Sequence, residues 1–292
     1  NLCRTFKFRH LKTYIIIPAY NEAEFIGETL QSLIDQSQLA DKIVVVDDGS
    51  TDNTPEIVSE FTEKHPEISL IKNFSKGKHL PGSKVVKAFN LGFKTLDDDF
   101  DIVCKFDADL IFPKNYLEKI SLHFKENSKI GMVGGFCEIQ KNGDWILENL
   151  TGKDHIRGAL KAYRKACFKD IGGLKPAMGW DTADELLAQY HGWEIKTDEN
   201  LRVKHLKPTG KNYTKTSKYK QGEAFYSLRY GFVITFIASA KLALKKKDLG
   251  FFLNCITGFL YAKNEKRPYL VNKDEGRFIK NLRWKKIQEK LF

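Results

Sequence analysis

Apolar runs alternate with polar, turn-rich and amphipathic stretches through the first half of the chain. "TYIIIP" predicts a strand, and Glu22 to Asp35 a helix. "KIVVVDD" predicts a second strand, and Thr54 to Lys64 a second helix. "ISLIKN" and then Ser83 to Leu96 repeat the pattern, and "DIVCKFDAD" adds a fourth strand. Such alternation implies βαβ units and a largely parallel sheet. Strands as continuously apolar as "IVVV" imply helices on both faces. "IGMVGGFCEI" reads as a further strand. No internal repeat or low-complexity linker breaks the order.

The pattern changes from Lys211 onward. Eleven uncharged residues lie between Arg229 and Lys241, and fourteen between Asp248 and Lys263, with basic residues on their flanks. Each run falls short of the roughly 20 residues that a spanning helix needs. They predict either core or homodimer-interface helices, or helices lying in a membrane interface beside basic anchors. The interfacial reading is the one favoured here. The chain thus divides into an α/β domain over residues 1–210 and a basic helical region over 211–292.

Charge sharpens that division. The whole chain carries a net +11, yet residues 201–292 hold 22 Lys+Arg against 6 Asp+Glu, a net +16. The first 200 residues hold 26 basic and 31 acidic groups, a net −5. An acidic body suits a metal-dependent site, and a basic tail suits an anionic surface. No recognised nucleic-acid-binding motif accompanies the tail, so nucleic acid is not expected as a partner. Composition, 42% hydrophobic and 29% charged, is that of an ordinary globular protein. Five scattered cysteines without zinc-site spacing predict reduced thiols in a cytosolic protein, and no signal peptide is visible.

Three acidic clusters fall where strands end, which in open α/β sheets is the mouth of a ligand crevice. The first strand delivers Tyr20 and Glu22. The second ends in "DDGSTDNT", whose Asp47 and Asp48 can accept from a base N–H or a ribose hydroxyl. The same residues also make turns and caps, with Thr51, Asp52 or Thr54 as the cap of the next helix. The fourth ends in "FDAD", where Asp107 and Asp109 can hold a hard cation and leave positions for phosphate oxygens. A later stretch, "GWDTADELLAQYHGW", sets Asp181 beside Trp180. A helix is expected after it with Asp184 and Glu185 in the first turn, where the helix dipole explains them.

"IIIPAYNE", "VVVDDGSTDNT", "FDAD", "AYRKACFKDIGG" and "GWDTADELLAQYHGW" occur in the order and spacing of bacterial-type family 2 glycosyltransferases. The chain resembles that family from Thr13 to Gly210. The resemblance implies the GT-A fold, a UDP- or GDP-sugar donor and inverting transfer. The acceptor expected beside it, in view of the tail, is a hydroxyl of a saccharide or lipid-linked saccharide, in cell-surface polysaccharide or glycolipid synthesis. It puts Pro18, Ala19, Tyr20 and Glu22 beside the nucleotide, and Asp47 or Asp48 at its base or ribose. Asp107, Ala108 and Asp109 match the D-x-D motif, with Asp109 the more direct ligand of Mg2+ or Mn2+. Asp181 falls where most members carry the Asp of a Glu-Asp pair, with Trp180 in place of the Glu. Asp181 and Asp184 both stay open as the catalytic base.

Several residues have two readings. His205 is a further metal ligand or a structural histidine. Lys76, Lys78 and Lys84 form a solvated basic loop from which one, Lys84 being the candidate, reaches the diphosphate. Arg157 and Arg164 orient the acceptor or stabilise the fold, and Trp193 reads as core. The expected location is the cytoplasmic face of the cell membrane, held peripherally. Two other functions compete. A nucleotidyltransferase also joins an α/β sheet to metal-binding acids, but "PAYNEAEF" lacks its glycine-rich, basic signature. A non-catalytic nucleotide-sugar-binding protein of the same fold would have little reason to keep all three acidic clusters.

Overall fold

A computed structural model of the chain describes residues 10–73, 83–148, 152–207 and 218–291. The chain forms two compact units. The first comprises Asn1–Lys78, Lys87–Gly173 and Gly192–Pro208, and the second His79–Val86, Leu174–His191 and Thr209–Phe292. The boundary expected at residue 210 falls outside the described residues, as do Lys76 and Lys78.

The first unit is built on one sheet. Strands β1 (Thr13–Ala19), β2 (Lys42–Asp47), β3 (Ile68–Lys72) and β4 (Ile102–Phe106) are parallel, in the order β3-β2-β1-β4. Their apolar runs lack alternation because both faces are covered: Ile15, Ile16, Ile17, Val45 and Val46 are completely buried. Helices α1 (Ile26–Ile34) and α2 (Thr54–Lys64) connect the first three strands. Helix α3 (Ser83–Phe93) closes onto the sheet at Gly92. A Cβ there would stand 2.7 Å from Val46 and 2.9 Å from Ile16, so only glycine lets the helix lie that near.

The sheet continues through β5 (Leu110–Ile111), β6 (Ile130–Lys141), β7 (Asp144–Leu147), β8 (Leu160–Arg164) and β9 (Glu194–His205), in the order β4-β8-β6-β9-β5, with β7 on β6. Strands β1, β2, β3, β4, β6 and β9 run one way, and β5, β7 and β8 the other. The sheet is therefore mostly parallel, as the alternation predicts. Helices α4 (Tyr116–Glu126) and α5 (Lys165–Asp170) complete the unit. Arg164 is structural: it donates to the carbonyls of Phe124, Asn127 and Ile130. Trp193, expected in the core, is only half-buried, because its indole N–H donates to Asp170 at the surface.

The second unit is helical, with α6 (Trp180–Tyr190), α7 (Lys220–Ser227), α8 (Gly231–Lys246), α9 (Leu249–Asn264) and α10 (Lys273–Leu291). Helices α7 and α9 cross with backbone against backbone. A Cβ on Gly222 would meet the Cys255 carbonyl oxygen at 1.8 Å, and one on Gly258 the Tyr219 oxygen at 2.1 Å. Asp248 caps α9 by accepting from the Phe251 N–H at 3.0 Å. The two uncharged stretches fall almost wholly within α8 and α9, each helix 16 residues long. No described helix is long and apolar enough to cross a membrane. Only part of their apolar surface is covered. Ile234, Cys255 and Phe259 are buried, whereas Leu244 is 76% and Leu249 81% exposed, with Phe232, Val233, Phe236, Leu253 and Leu260 also in the open.

Candidate active site

Strands β1 and β2 end level, with Ala19 paired to Asp47. The loops that follow are tied together. Asn21, in the left-handed region at φ 53°, gives its N–H to the Ser50 hydroxyl, and the N–H groups of Glu22 and Ala23 go to Thr54 and Asp52. The Glu22 carbonyl accepts from the Phe25 and Ile26 N–H groups, an isolated turn, and the regular helix expected from Glu22 begins at Ile26. Much of "DDGSTDNT" is thus loop chemistry. Asp52 accepts from Thr54 and Ala23, and Asp47 accepts from the Ser50 N–H across the turn at Gly49, φ 82°. Asp48 accepts from the Asn73 amide at 2.7 Å. Tyr20 is exposed at the rim, while Pro18 and Ala19 lie at the end of β1.

The "DAD" turn follows β4, the neighbour of β1 on its other side. It is clamped from three directions. The Thr29 hydroxyl of α1 donates to the Ala108 carbonyl and accepts from the Leu110 N–H. The Asp107 N–H donates to Ala159, and the Asp109 carbonyl accepts from Leu206 at the end of β9. The two carboxylates thereby receive different surroundings. Asp107 is partly open and ion-paired with the buried Lys105. Burial works against its charge, but Lys105, with His205 and Arg157 behind it, holds Asp107 below the usual carboxylate range.

Asp109 is buried. Its Oδ2 lies 3.3 Å from His205 Nε2, and its Oδ1 has no hydrogen-bond partner among the described residues. On the far side of the imidazole, His205 Nδ1 stands 3.1 Å from Glu148 Oε2. Arg157 in turn pairs with that Glu148 carboxylate. A neutral His205 that donates from Nδ1 to Glu148 turns the Nε2 lone pair toward Asp109. Lone pair facing carboxylate is repulsive unless Nε2 carries a second proton or the two share a cation. The orphaned oxygen fits the same cation, because a buried acceptor without a partner is costly.

Cys137 adjoins this cluster: its sulfur and ligand atoms of Glu148 and His205 lie within 4.8 Å of one another. That trio is the poorer candidate for a metal. Arg157 already neutralises Glu148, and burial, opposed by Arg157, raises the Cys137 thiol, whereas a ligand must be thiolate. Glu22 belongs to the same field. Burial lifts its carboxyl to about 7; the Lys207 ammonium 3.0 Å away opposes this, and the charges of Asp109 and Asp107 add to it.

The structure thus brings Glu22, Asp107, Asp109 and His205 into one centre, with Asp47 and Asp48 at the neighbouring strand end. Lys84 sits in the first turn of α3, and Asp181 and Asp184 lie on α6, in the second unit. The helix register differs from expectation. Gly179, at φ 76°, sets the start of α6 at Trp180, so Asp181 is the acid of the first turn. Asp184 and Glu185 come later and are buried, so the dipole does not explain them. The sequence reading did not single out Glu148, Lys105, Lys207 or Cys137 for this centre. The only signals for them were a charge near a strand end or, for Cys137, a thiol within a strand.

Residues 14–171 match the family model for Glycosyl transferase family 2. The probable glycosyltransferase YdaM of Bacillus subtilis is 33% identical over 208 residues, covering 67% of this chain and 47% of that protein. The poly-beta-1,6-N-acetyl-D-glucosamine synthase of Staphylococcus epidermidis is 27% identical over 186 residues, covering 57% and 41%. The chain spans about half the length of the curated relatives it matches. Among solved structures, a mannosyltransferase of Pyrobaculum calidifontis, in complex with GDP-Man and Mn2+, aligns at TM-score 0.59 and 18% identity, over 93% of this chain and 79% of that one. S. aureus TarS 1-349, in complex with UDP-GlcNAc, aligns at 0.58 and 22%, over 75% and 65%. At these identities the likeness shows the fold, which is GT-A.

Proposed function

The chain belongs to glycosyl transferase family 2, and on that premise we propose that it moves a sugar, with inversion, from a nucleoside-diphosphate sugar to an acceptor hydroxyl. The observation that carries the proposal is the Asp109–His205 pair with its orphaned buried oxygen, set where parallel strands end. Asp109 and His205 are the residues that would hold Mg2+ or Mn2+, with Asp107 on the open side. Such an ion supplies charge stabilisation for a departing diphosphate. Both structural relatives were solved with a nucleotide sugar, one of them with Mn2+ as well.

The chain's own groups have separable tasks. Lys105 keeps Asp107 ionised toward the donor. Glu148, backed by Arg157, fixes His205 so that Nε2 faces Asp109. Asp47 and Asp48, anchored by Ser50 and Asn73, present carboxylate oxygens to base or ribose, and Tyr20 covers the rim. Lys84 is the donor-phosphate contact. Asp181 takes the proton from the acceptor hydroxyl, with Asp184 the alternative. Asp181 is the more accessible of the two, and a base must reach its substrate.

The acceptor is a saccharide or lipid-linked saccharide, and one relative is named as a polysaccharide synthase. Exposed apolar side chains on α8 and α9, with lysines at their ends, support peripheral contact with an anionic membrane face. The test is a thermal-shift panel of UDP- and GDP-sugars with Mn2+ and with EDTA. A donor that raises the unfolding temperature only with Mn2+ is the expected result. Equal shifts in both conditions would remove the metal from the reading, and no shift with any donor would remove the reading itself.

A further inference from the structure

The second unit contains a cavity of about 460 Å3 bordered by α7 to α10. Among the described residues five cations line it, Arg229, Lys263, Lys273, Arg277 and Lys280, and no carboxylate does, although Arg277 pairs with Asp274 at 3.4 Å. No ion pair or hydrogen bond to a described residue engages the side chains of Lys263, Lys273 or Lys280. Arg229 is held in place: its Nε donates to the Val271 carbonyl at 2.9 Å, and its guanidinium lies 3.6 Å over the Tyr269 ring. Gly276 leaves the room for its stem, since a Cβ there would stand 2.5 Å from Arg229 Cδ. So many like charges around one cavity repel one another, and an anion with several oxygens relieves them.

The wall is not wholly polar. Phe232 and Phe259 line the cavity with ring centroids 6.2 Å apart. From Phe232 a track of rings leads outward, 6.5 Å to Phe236 and then 5.2 Å to Phe252. Phe232 and Phe236 are half exposed, and Val233 and Leu253 on the same two helices are more so. The complementary ligand is anionic at one end and apolar at the other. We propose that this cavity takes the phosphate headgroup of an anionic lipid, with the acyl chains along the exposed faces of α8 and α9. The proposal rests on the membrane-contact reading above, but not on the transfer chemistry.

The test uses the full chain and vesicles of phosphatidylcholine with or without phosphatidylglycerol. Binding is expected only to the mixed vesicles. Lys263→Gln with Lys280→Gln should lower it about tenfold or more, given what each basic group contributes near an anionic surface. The charge-matched pair Lys64→Gln with Lys119→Gln, exposed in the first unit, should leave it within about twofold. Inorganic pyrophosphate should compete for the parent chain. Equal loss in both pairs would overturn the proposal in favour of diffuse attraction. Pyrophosphate binding at the cavity without vesicle binding would make the ligand a soluble phosphate. Self-association through α8 and α9 in place of vesicle binding would make the occupant a second copy. Donor hydrolysis in Mn2+ is followed in the same samples. Its retention by the cavity variants separates failure here from failure of the transferase reading.

Discussion

Around the strand ends of the first unit the unusual atoms are buried and charged; on α8 and α9 of the second they are exposed and apolar. Asp109, Glu148, Lys105 and His205 lie out of water around one centre, and two carboxylate oxygens there, Asp109 Oδ1 and Glu22 Oε2, have no hydrogen-bond partner among the described residues. On α8 and α9, by contrast, leucines and phenylalanines face outward beside lysines. Each arrangement is costly in an isolated chain. On the proposed reading each cost falls when something binds, a cation and donor in the first case and an apolar, anionic surface in the second. The two units therefore read as two kinds of site. Substitutions should separate them, because buried charge is a matter of chemistry and exposed apolar surface a matter of attachment.

The largest expected effect is at Asp109. Asp109→Asn should lower Mn2+-dependent donor turnover by about 10³-fold, the scale of losing several kcal/mol of charge stabilisation. Stability should hold, because Oδ1 has no hydrogen bond to a described residue to lose and an amide can keep a polar atom at the Oδ2 position beside His205. Steady-state kinetics with a melting curve checks both. Loss of folding with unchanged Mn2+ dependence in the remainder would make Asp109 structural and erase the contrast between the units.

How far the sequence foretold this differs from element to element. The four parallel strands and the "DAD" turn were legible because continuous apolar runs that end in acids have few other readings. The start of α1 was less so, because an isolated turn at Glu22 precedes it in a segment tied to Ser50, Thr54 and Asp52 on another loop, about 30 residues away. The start of α6 turns on Gly179 adopting a positive φ, which only the backbone reveals. Glu148 reaches His205 across 57 residues of chain, so no local pattern announces the pair. The short strands β5 and β7, of 2 and 4 residues, owe their existence to partners rather than to their own composition.

Next in size is the base. Asp181→Asn should bind donor normally and transfer about 10²-fold more slowly, the usual scale for general-base catalysis. The first-turn charge that Asp181 gives α6 is worth a few tenths to about 1 kcal/mol in stability. Asp184 is 3% exposed and bonded to the Glu185 N–H, so Asp184→Asn should show first in the melting temperature. Near-normal turnover in Asp181→Asn with collapse in a folded Asp184→Asn reverses the assignment.

Smaller again is a purely mechanical effect in the second unit. Gly222→Ala or Gly258→Ala drives a methyl into a carbonyl where α7 meets α9. Overpacking of this kind costs about 1–3 kcal/mol. Urea unfolding should show it, and binding to anionic vesicles should weaken along with it. Donor affinity at the first unit should change little. Should donor affinity fall as far as vesicle binding, the two sites are not separable and the opening contrast fails.

The smallest effect concerns Glu22 and asks whether the buried charge of the first unit carries a standing cost. Its carboxyl is raised from 4.5 to about 7, chiefly by burial. The sign follows from the folded state holding the proton more tightly than the unfolded chain. As pH rises from about 4.5 to 7, the unfolded chain gives up this proton first, so the group's contribution shifts toward unfolding. The loss is on the order of 3 kcal/mol across that window and is complete above it. Glu22→Gln should remove that share of the slope. It should match the parent near pH 4 and be the more stable protein at pH 8. Mn2+ should narrow the difference, because a cation held beside Asp109 offsets two of the charges that help to lift Glu22. Denaturant melts of both proteins from pH 4 to 8, with and without Mn2+, measure this directly. A parent chain more stable than Glu22→Gln at pH 8 would show that Lys207 outweighs burial, and that this edge of the site is held together by an ion pair.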